Sequence, residues 1–482
     1  MNRKMIAFIL GRVLLIVALL MIPSVLVGLL YREQAITAFL GPILLLVAVG
    51  LLLSAKRPKN QSIYARDGFF VVGAAWILVS LAGALPFYLC GGFESIWDCI
   101  FEIVSGFTTT GASILKNPET LPKCILFWRS FSHWIGGMGV LVFVLAVIPL
   151  SEERSLHLMR AEVPGPTVGK LVPRMKETAK ILYAVYTVMT LILIALLVLG
   201  KMPLFDAVCH AFGAAGTGGF SIKASGIMYY GSSYIEIVLG IFMLLFGVNF
   251  NLYYFLLIGR IKDALKNEEL IWYLLICGAA TAMIAINIYG IYQNVADSLR
   301  LAFFQVSSIM TTTGYATADF ASNWPEFSQH MLLLLMMIGA CAGSTGGGLK
   351  VSRILLLLKS VLQDMRKVIH PRLTTVVRIN GKTAEDSTIH DTRTYFAAYI
   401  LIVCVSVLLL SLDKLDFTTN FAAEMACFNN IGPGIGLVGP TGNYAMYSPF
   451  SKMLLSLNML LGRLEILPLI VLLSPDVWRR NV

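Results

Sequence analysis

Charge is what this chain has least of. Asp, Glu, Lys and Arg make up 13% of its 482 residues, about half the share of a soluble domain, while 57% are hydrophobic. It has no low-complexity run, and that much apolar surface excludes a disordered chain. It has no CxxC pair. Its eight cysteines (Cys90, Cys99, Cys124, Cys209, Cys277, Cys341, Cys404 and Cys427) are scattered, mostly in or beside apolar runs, as small core residues are. Soluble cores stop growing near about 250–300 residues, so this much Leu, Ile, Val and Phe cannot be hidden inside one. The solvent for most of the chain is lipid. The net charge of +10 comes from basic residues in loops between apolar runs, which reads as topology and contact with anionic headgroups, not as nucleic-acid binding.

A spanning helix needs about 20 apolar residues. Ten runs qualify: 5–30, 35–54, 69–90, 127–150, 179–200, 234–258, 270–292, 329–359, 395–412 and 451–473. The first is too long for a signal-peptide core and no small-residue cleavage site follows it, so it counts as a span. The loops at 55–68, 151–178, 259–269 and 360–394 are rich in Lys and Arg, whereas 315–328 and 433–450 contain none. Both termini are therefore expected in the cytoplasm.

Four apolar stretches, about 95–108, 204–216, 297–310 and 417–429, are too short to cross. Each starts near an acidic residue (Asp98, Asp206, Asp297, Asp416), which suits the positive end of a helix dipole. Each is followed by a glycine motif and then a long span. The motifs are Thr108-Thr109-Thr110-Gly111-Ala112, Gly216-Thr217-Gly218-Gly219-Phe220, Thr311-Thr312-Thr313-Gly314-Tyr315 and Asn429-Asn430-Ile431-Gly432-Pro433. The pattern of span, re-entrant helix, motif and span thus occurs four times, after two extra N-terminal spans. The expected fold is an all-α polytopic membrane protein, with four such repeats around a pseudo-four-fold pore and ten transmembrane helices. Its expected segments are 1–60 (two N-terminal helices), 61–150 (repeat one), 151–178 (cytoplasmic loop), 179–265 (repeat two), 266–360 (repeat three, second span broken), 361–394 (cytoplasmic loop) and 395–482 (repeat four).

Non-helical backbone in a bilayer must be buried in protein or face water. Four re-entrant turns satisfy this together by converging on one axis, where their carbonyls replace the hydration shell of a monovalent cation. The motifs contain no Asp or Glu, which argues against a divalent-cation pore, and no Lys or Arg, which argues against anions. Neutral carbonyls suit potassium. The Thr hydroxyls either add oxygens at the cavity end or bond local carbonyls, and the sequence leaves both open. Gly343-Ser344-Thr345-Gly346-Gly347-Gly348 interrupts the span at 329–359; three successive glycines cost about 1 kcal/mol each in a helix, so this stretch is expected to unwind beside the ion path. Arg463 lies inside the last span, where an unpaired charge is costly, so it is expected to face a cavity or partner and to reach the glycine loop, where it would add a positive barrier to cations. Lys350 either contributes to that barrier or snorkels. His133 reads as a packing or interhelical hydrogen-bond residue. Glu102, His210 and Gln305, each nine residues before its motif glycine, are expected to tie the short helix to the strand, with Ala423 breaking the pattern.

These motifs, with Ser132-His133-Trp134-Ile135-Gly136-Gly137-Met138-Gly139, Ala161-Glu162-Val163-Pro164-Gly165-Pro166, Gly343–Lys350 and Leu461-Gly462-Arg463-Leu464-Glu465, make the chain resemble the TrkH/KtrB branch of the Trk/Ktr/HKT superfamily of potassium transporters over essentially its whole length. The resemblance implies potassium (with rubidium as its analogue) coordinated by main-chain oxygens of Thr109, Thr110, Gly111, Thr217, Gly218, Gly219, Thr312, Thr313, Gly314, Asn430, Ile431 and Gly432. It implies a gate formed by Gly343, Ser344, Thr345, Gly346, Gly347, Gly348, Lys350 and Arg463. It further implies a homodimer in the bacterial inner membrane, under a cytosolic TrkA-type nucleotide-binding regulatory subunit. Gly111, rather than Ser, points to potassium over sodium. The fourth motif departs most from the Thr-rich pattern. Two rival functions stand: a symporter coupling potassium to protons or sodium, which needs a titratable group on the ion path, and a membrane enzyme, which needs a titratable cluster.

Overall fold

A computed structural model describes residues 2–60, 65–139, 175–370, 376–466 and 469. The expected loop at 151–178 and the motif at Ala161–Pro166 lie almost wholly outside the described residues. In chain order the helices are α1 (Arg3–Tyr31), α2 (Thr37–Ser54), α3 (Ala65–Leu89), α4 (Ile96–Phe107), α5 (Lys123–Gly137), α6 (Met175–Leu199), α7 (Leu204–Gly216), α8 (Ser233–Phe246), α9 (Phe250–Leu257), α10 (Ile261–Leu265), α11 (Glu268–Tyr292), α12 (Val295–Met310), α13 (Phe320–Asn323), α14 (Glu326–Ile338), α15 (Val351–Ile369), α16 (Asp386–Leu410), α17 (Phe417–Phe428) and α18 (Pro449–Arg463). One two-residue-per-strand hairpin, Arg378–Ile379 with Lys382–Thr383, turns at Asn380-Gly381, both at positive φ.

Six helices among the described residues are long and apolar enough to cross a bilayer: α1, α2, α3, α6, α11 and α16. Pro23, Pro42 and Pro86 sit inside three of them, as membrane helices tolerate. Their outer faces carry Leu30, Leu52, Leu199, Ile286 and Leu408, all exposed, the inverse of a soluble surface. Small residues let α1 and α2 approach closely: a Cβ on Gly11 would lie 2.9 Å from the Gly50 carbonyl oxygen.

The four short stretches are helices α4, α7, α12 and α17. Ser95, Asn294 and Asp416 accept a hydrogen bond at the N-termini of α4, α12 and α17, and Asp98, Asp206 and Asp297 lie in the first turns of α4, α7 and α12.

The remaining four expected spans, the second of each repeat, are not single helices. The run expected at 234–258 bends by 90° between α8 and α9. Gly247-Val248-Asn249 forms the bend. Asn249 Oδ1 accepts from Asn251 N to start α9, the Gly247 carbonyl accepts from Cys341 N, and Phe250 N donates to the Gly343 carbonyl. The backbone groups freed by the bend are thus satisfied by repeat three, which is why the break is stable. Residues 339–350 separate α14 from α15, α5 ends at Gly137, and α18 ends at Arg463, followed by Glu465 and Ile466 at positive φ. The stretch read as a loop at 361–394 is also partly helical, because α15 runs on to Ile369 and α16 begins at Asp386.

Candidate functional site

Each short helix ends the same way. Thr109, Thr217, Thr312 and Asn430 take left-handed φ of 57°, 56°, 58° and 56°, and two residues on Gly111, Gly219, Gly314 and Gly432 take 79°, 74°, 83° and 95°. For a residue with a Cβ this costs about 1–2 kcal/mol, least for Asn. The intervening amides, of Thr110, Gly218, Thr313 and Ile431, each donate 2.8 Å back to a short-helix carbonyl, of Ser105, Gly213, Ser308 and Ala426. The N–H groups are consumed inward. In an ordinary strand successive carbonyls alternate sides; alternating the sign of φ brings them toward one side.

Among the described residues nothing donates to the main-chain oxygens of Thr109, Thr110, Gly111, Thr217, Gly218, Gly219, Thr312, Thr313, Gly314, Asn430 or Ile431; the Gly432 oxygen alone accepts a bond, 2.6 Å from the Tyr444 hydroxyl. The Thr109 and Thr217 hydroxyls donate to the preceding carbonyls (2.7 and 2.6 Å), Thr110 accepts from Asn430 Nδ2 (3.0 Å), and Thr312 accepts from Gly347 N (2.7 Å). Of the two roles left open for the Thr hydroxyls, bonding to a local carbonyl describes Thr109 and Thr217, whereas Thr110 and Thr312 accept from strand four and from the glycine loop.

The strands form a closed ring. A Cβ on Gly111 would overlap the Gly218 carbonyl oxygen, one on Gly219 that of Thr313, and one on Gly314 that of Ile431. One on Gly432 would lie 2.7 Å from the Thr110 oxygen, returning to strand one. A cavity of about 130 Å³ opens on the ring, lined by all four glycines with Arg129 and Tyr444. At its rim Lys223 pairs with Glu119 at 3.1 Å; that bond holds the Glu119 carboxyl below its ordinary range and raises the Lys223 ammonium above its own.

On the other side of the ring lies the loop 339–350. Gly346 sits beside the Thr311 carbonyl and Gly347 beside Asn429 and Asn430, while Gly347 N makes its bond to Thr312. Thr345 Oγ1 donates to the Phe246 carbonyl (3.2 Å), and the Ser344 hydroxyl to that of Cys341 (2.7 Å). Gly343 and Gly348 have positive φ, as does Lys350, which is buried and donates through Nζ to the Gly346 carbonyl. Arg463 donates to the carbonyls of Thr345 (2.7 Å), Gly136 (2.5 Å) and Gly137 (2.7 Å), which joins the loop to the ends of α18 and α5. Glu465 pairs with Arg353, not with Arg463. One participant had no sequence signal: Glu269, from the first turn of α11, accepts from Ala342 N (2.7 Å) and Ser352 N (3.1 Å) and so pins both sides of the loop.

The supporting residues divide. Glu102 accepts from the Ser113 hydroxyl (2.8 Å), Ile114 N (3.0 Å) and Arg129 Nε (2.6 Å), and His210 Nε2 lies 3.3 Å from the Ser221 hydroxyl. Gln305 differs from the expected tie: it is fully buried, yet neither amide atom has a hydrogen-bond partner among the described residues. The reason is legible two residues after each glycine, where Ser113 and Ser221 are matched by Ala316. His133 lies within hydrogen-bond distance of the Gly106 carbonyl through Nδ1 (2.8 Å) and accepts from Phe220 N through Nε2 (3.3 Å), an interhelical role. Closing the ring from outside, Lys452 on α18 pairs with Asp98 on α4 at 2.6 Å, both buried.

The sequence profile of the TrkH family, described as a cation transport protein, matches residues 34–479. The Trk system potassium uptake protein TrkH of Salmonella typhimurium is 36% identical over 488 residues, covering 99% of this chain and 100% of that protein. The potassium uptake protein TrkG of Escherichia coli K12 is 34% identical over 469 residues, 96% of each. The crystal structure of the potassium transporter TrkH from Vibrio parahaemolyticus matches with a TM-score of 0.90 at 33% identity, covering 99% of this chain and 100% of that one.

Proposed function

The chain belongs to the TrkH family of cation transport proteins, and from that premise we propose that it takes up potassium through a channel-like filter gated by the loop 339–350. The observation that carries this reading is the set of eleven main-chain carbonyls, in four strands that meet one another, that have no hydrogen-bond donor among the described residues. An unsatisfied buried carbonyl costs roughly 1–3 kcal/mol, so eleven of them gathered in one place call for water or a cation. Potassium sheds its hydration shell to neutral oxygens more readily than a divalent ion does, and no carboxylate stands in the ring.

In this reading Thr109–Gly111, Thr217–Gly219, Thr312–Gly314 and Asn430–Gly432 coordinate the ion around a pseudo-four-fold axis. The second apolar run of each repeat counts as one further crossing, which makes ten. The segments run 1–60, 61–150, 151–178, 179–265, 266–360, 361–394 and 395–482, with both termini in the cytoplasm of a bacterial inner-membrane protein. Gly343–Gly348 and Lys350 form the gate, and Arg463 places a positive charge beside it. A homodimer and a cytosolic TrkA-type nucleotide-binding subunit complete the assembly. The coupled symporter is the weaker reading: the buried carboxylates Asp98 and Glu102 are engaged by Lys452 and by Ser113, Ile114 and Arg129, while Glu424 accepts from Asn458 through Oε2 and keeps Oε1 without a hydrogen-bond partner among the described residues, which is where a coupled reading would look for its proton.

The test is rubidium and sodium flux into proteoliposomes, for the native chain and for Gly111→Ser. Rubidium is expected to pass far faster than sodium in the native protein and to lose that advantage in the variant. Equal flux of both ions through the native chain would defeat the proposal.

A further inference from the structure

The ring is not braced evenly. Strands one and two share one connected set of bonds. Glu102 holds Ser113 and Ile114 beyond Gly111 and also binds Arg129 Nε. Arg129 is buried, donates through its Nη1 to the Ser221 carbonyl at 2.8 Å, and lies 3.5 Å over the Phe220 ring, just beyond Gly219. The Ser221 hydroxyl then meets His210. A carboxylate of repeat one thus fixes the exits of two filter strands through one guanidinium, a fork suited to holding two partners at once.

Strand three has the helix half of this brace without the strand half. Gln305 stands where Glu102 and His210 stand, but Ala316 offers no hydroxyl, and both atoms of the buried amide are orphaned. Among the described residues its exit is gripped one residue past the glycine, by the Ser308 hydroxyl on the Tyr315 carbonyl (2.5 Å) and by the Tyr315 hydroxyl, which lies 3.0 Å from the His210 carbonyl and 3.3 Å from that of Phe220 beside strand two. Strand four has Ala423 and Gly434 at these positions and is held instead by Tyr444 and by Asn430. Strand three is also the strand whose side chain bonds the loop, through Thr312 and Gly347 N.

We propose that Glu102 and Arg129 are positioning residues for ion selection, which make strands one and two a fixed half of the filter, while the Gln305–Ala316 pairing leaves strand three compliant, so that movement of the loop reaches the filter there. This rests on the filter reading above. A buried polar group with no partner is costly to keep, and a missing tie at the point of contact with a moving part gives that cost a use.

The experiment measures the rubidium-to-sodium flux ratio of the full chain in liposomes, together with its thermal unfolding midpoint in detergent. Glu102→Gln is expected to lower the ratio about tenfold while rubidium still passes, the loss set by one charge-assisted bond. Ala316→Ser, which restores the missing hydroxyl, is expected to raise the ratio about fivefold, the equivalent of one ordinary buried hydrogen bond, and to raise the midpoint. In a Gln305→Leu background Ala316→Ser should change neither. If Ala316→Ser acts equally with and without Gln305, or if the ratio ignores both Glu102→Gln and Ala316→Ser, the proposal is overturned while native rubidium selectivity stands. Equal native flux of the two ions would remove the filter reading itself, and this proposal with it.

Discussion

Replacing Arg463 with Gln separates the gate from the filter. The guanidinium donates to three carbonyls on two segments: Thr345 in the loop, and Gly136 and Gly137 at the end of α5. A hydrogen bond from a charged group contributes about 1.5–3 kcal/mol, and the three are not additive because one side chain makes them all. A net bias of about 3 kcal/mol toward the shut loop is the conservative figure, and its loss raises the open fraction roughly a hundredfold. Rubidium influx into liposomes containing the purified chain alone, without a cytosolic partner, should therefore rise sharply in Arg463→Gln. Arg463→Lys keeps the charge, but its compact ammonium cannot serve carbonyls on both segments together. It should loosen the loop while retaining a barrier to cations, with a flux between native and Gln. If basal influx in Arg463→Gln matched the native chain at equal reconstituted protein, the clamp and the barrier would both be refuted.

Three further outcomes follow from other parts of the molecule. Gly314→Ala forces a Cβ into the Ile431 carbonyl at a φ of 83°; it should abolish rubidium flux, and a variant that conducts like the native chain would show that strands three and four do not touch in the working state. Breaking the buried Lys452–Asp98 pair from one side, by Asp98→Asn, should destabilise by about 3–5 kcal/mol, whereas Asp98→Asn with Lys452→Met should cost clearly less; equal midpoints for the single and double variants would contradict the pairing. Lys223→Met removes the rim pair with Glu119. Glu119 is held below its ordinary value of 4.5, so its contribution is full above that pH and fades as pH falls through the lowered folded value. Lys223 is raised above 10.5, so its contribution is full below that pH and fades above it. The native-minus-variant midpoint should be a small plateau through neutral pH that closes at both ends, and an undiminished difference at about pH 3 would rule the pair out as its source.

Most of the architecture was legible because lipid imposes simple rules. Apolar length marks the helices that cross, and four short runs with Asp at their starts mark those that turn back. The strands were legible because a turn at positive φ favours glycine, and Gly111, Gly219, Gly314 and Gly432 recur at one place in each repeat. Continuity and long-range partners were not legible. Hydropathy reports length and apolarity, not continuity, so 234–258 read as one span although Gly247-Val248-Asn249 turns it by 90°. The bend survives because Cys341 and Gly343, about a hundred residues away, supply its hydrogen bonds, and no local window contains that information. Glu269 was invisible for the same reason: near the start of a span it looks like a residue meeting the helix dipole, and its bonds to Ala342 and Ser352, more than seventy residues on, exist only after α11 has packed against the loop of its own repeat.

The same dependence suits the loop to the gating role proposed for it. Three of its backbone donors are spent on groups from other elements, Ala342 on Glu269, Gly347 on Thr312 and Cys341 on Gly247, while Ser344 and Gly346 bond within the loop and the Thr345 carbonyl takes Arg463. A helix would satisfy these groups from within itself and would have no second arrangement of similar energy. A segment held by partners on four elements changes state whenever those elements shift together, since the exchange of one set of hydrogen bonds for water costs little for each bond. Three glycines in a row remove the side chains that would fix one arrangement by packing. The filter strands are the opposite case. Their amides close onto the short helix that precedes them, at 2.8 Å in all four repeats, so each strand travels with its own helix. On the proposed function, gating through the loop and selection through the strands should therefore be alterable by separate substitutions, except at Thr312, where one hydroxyl belongs to both.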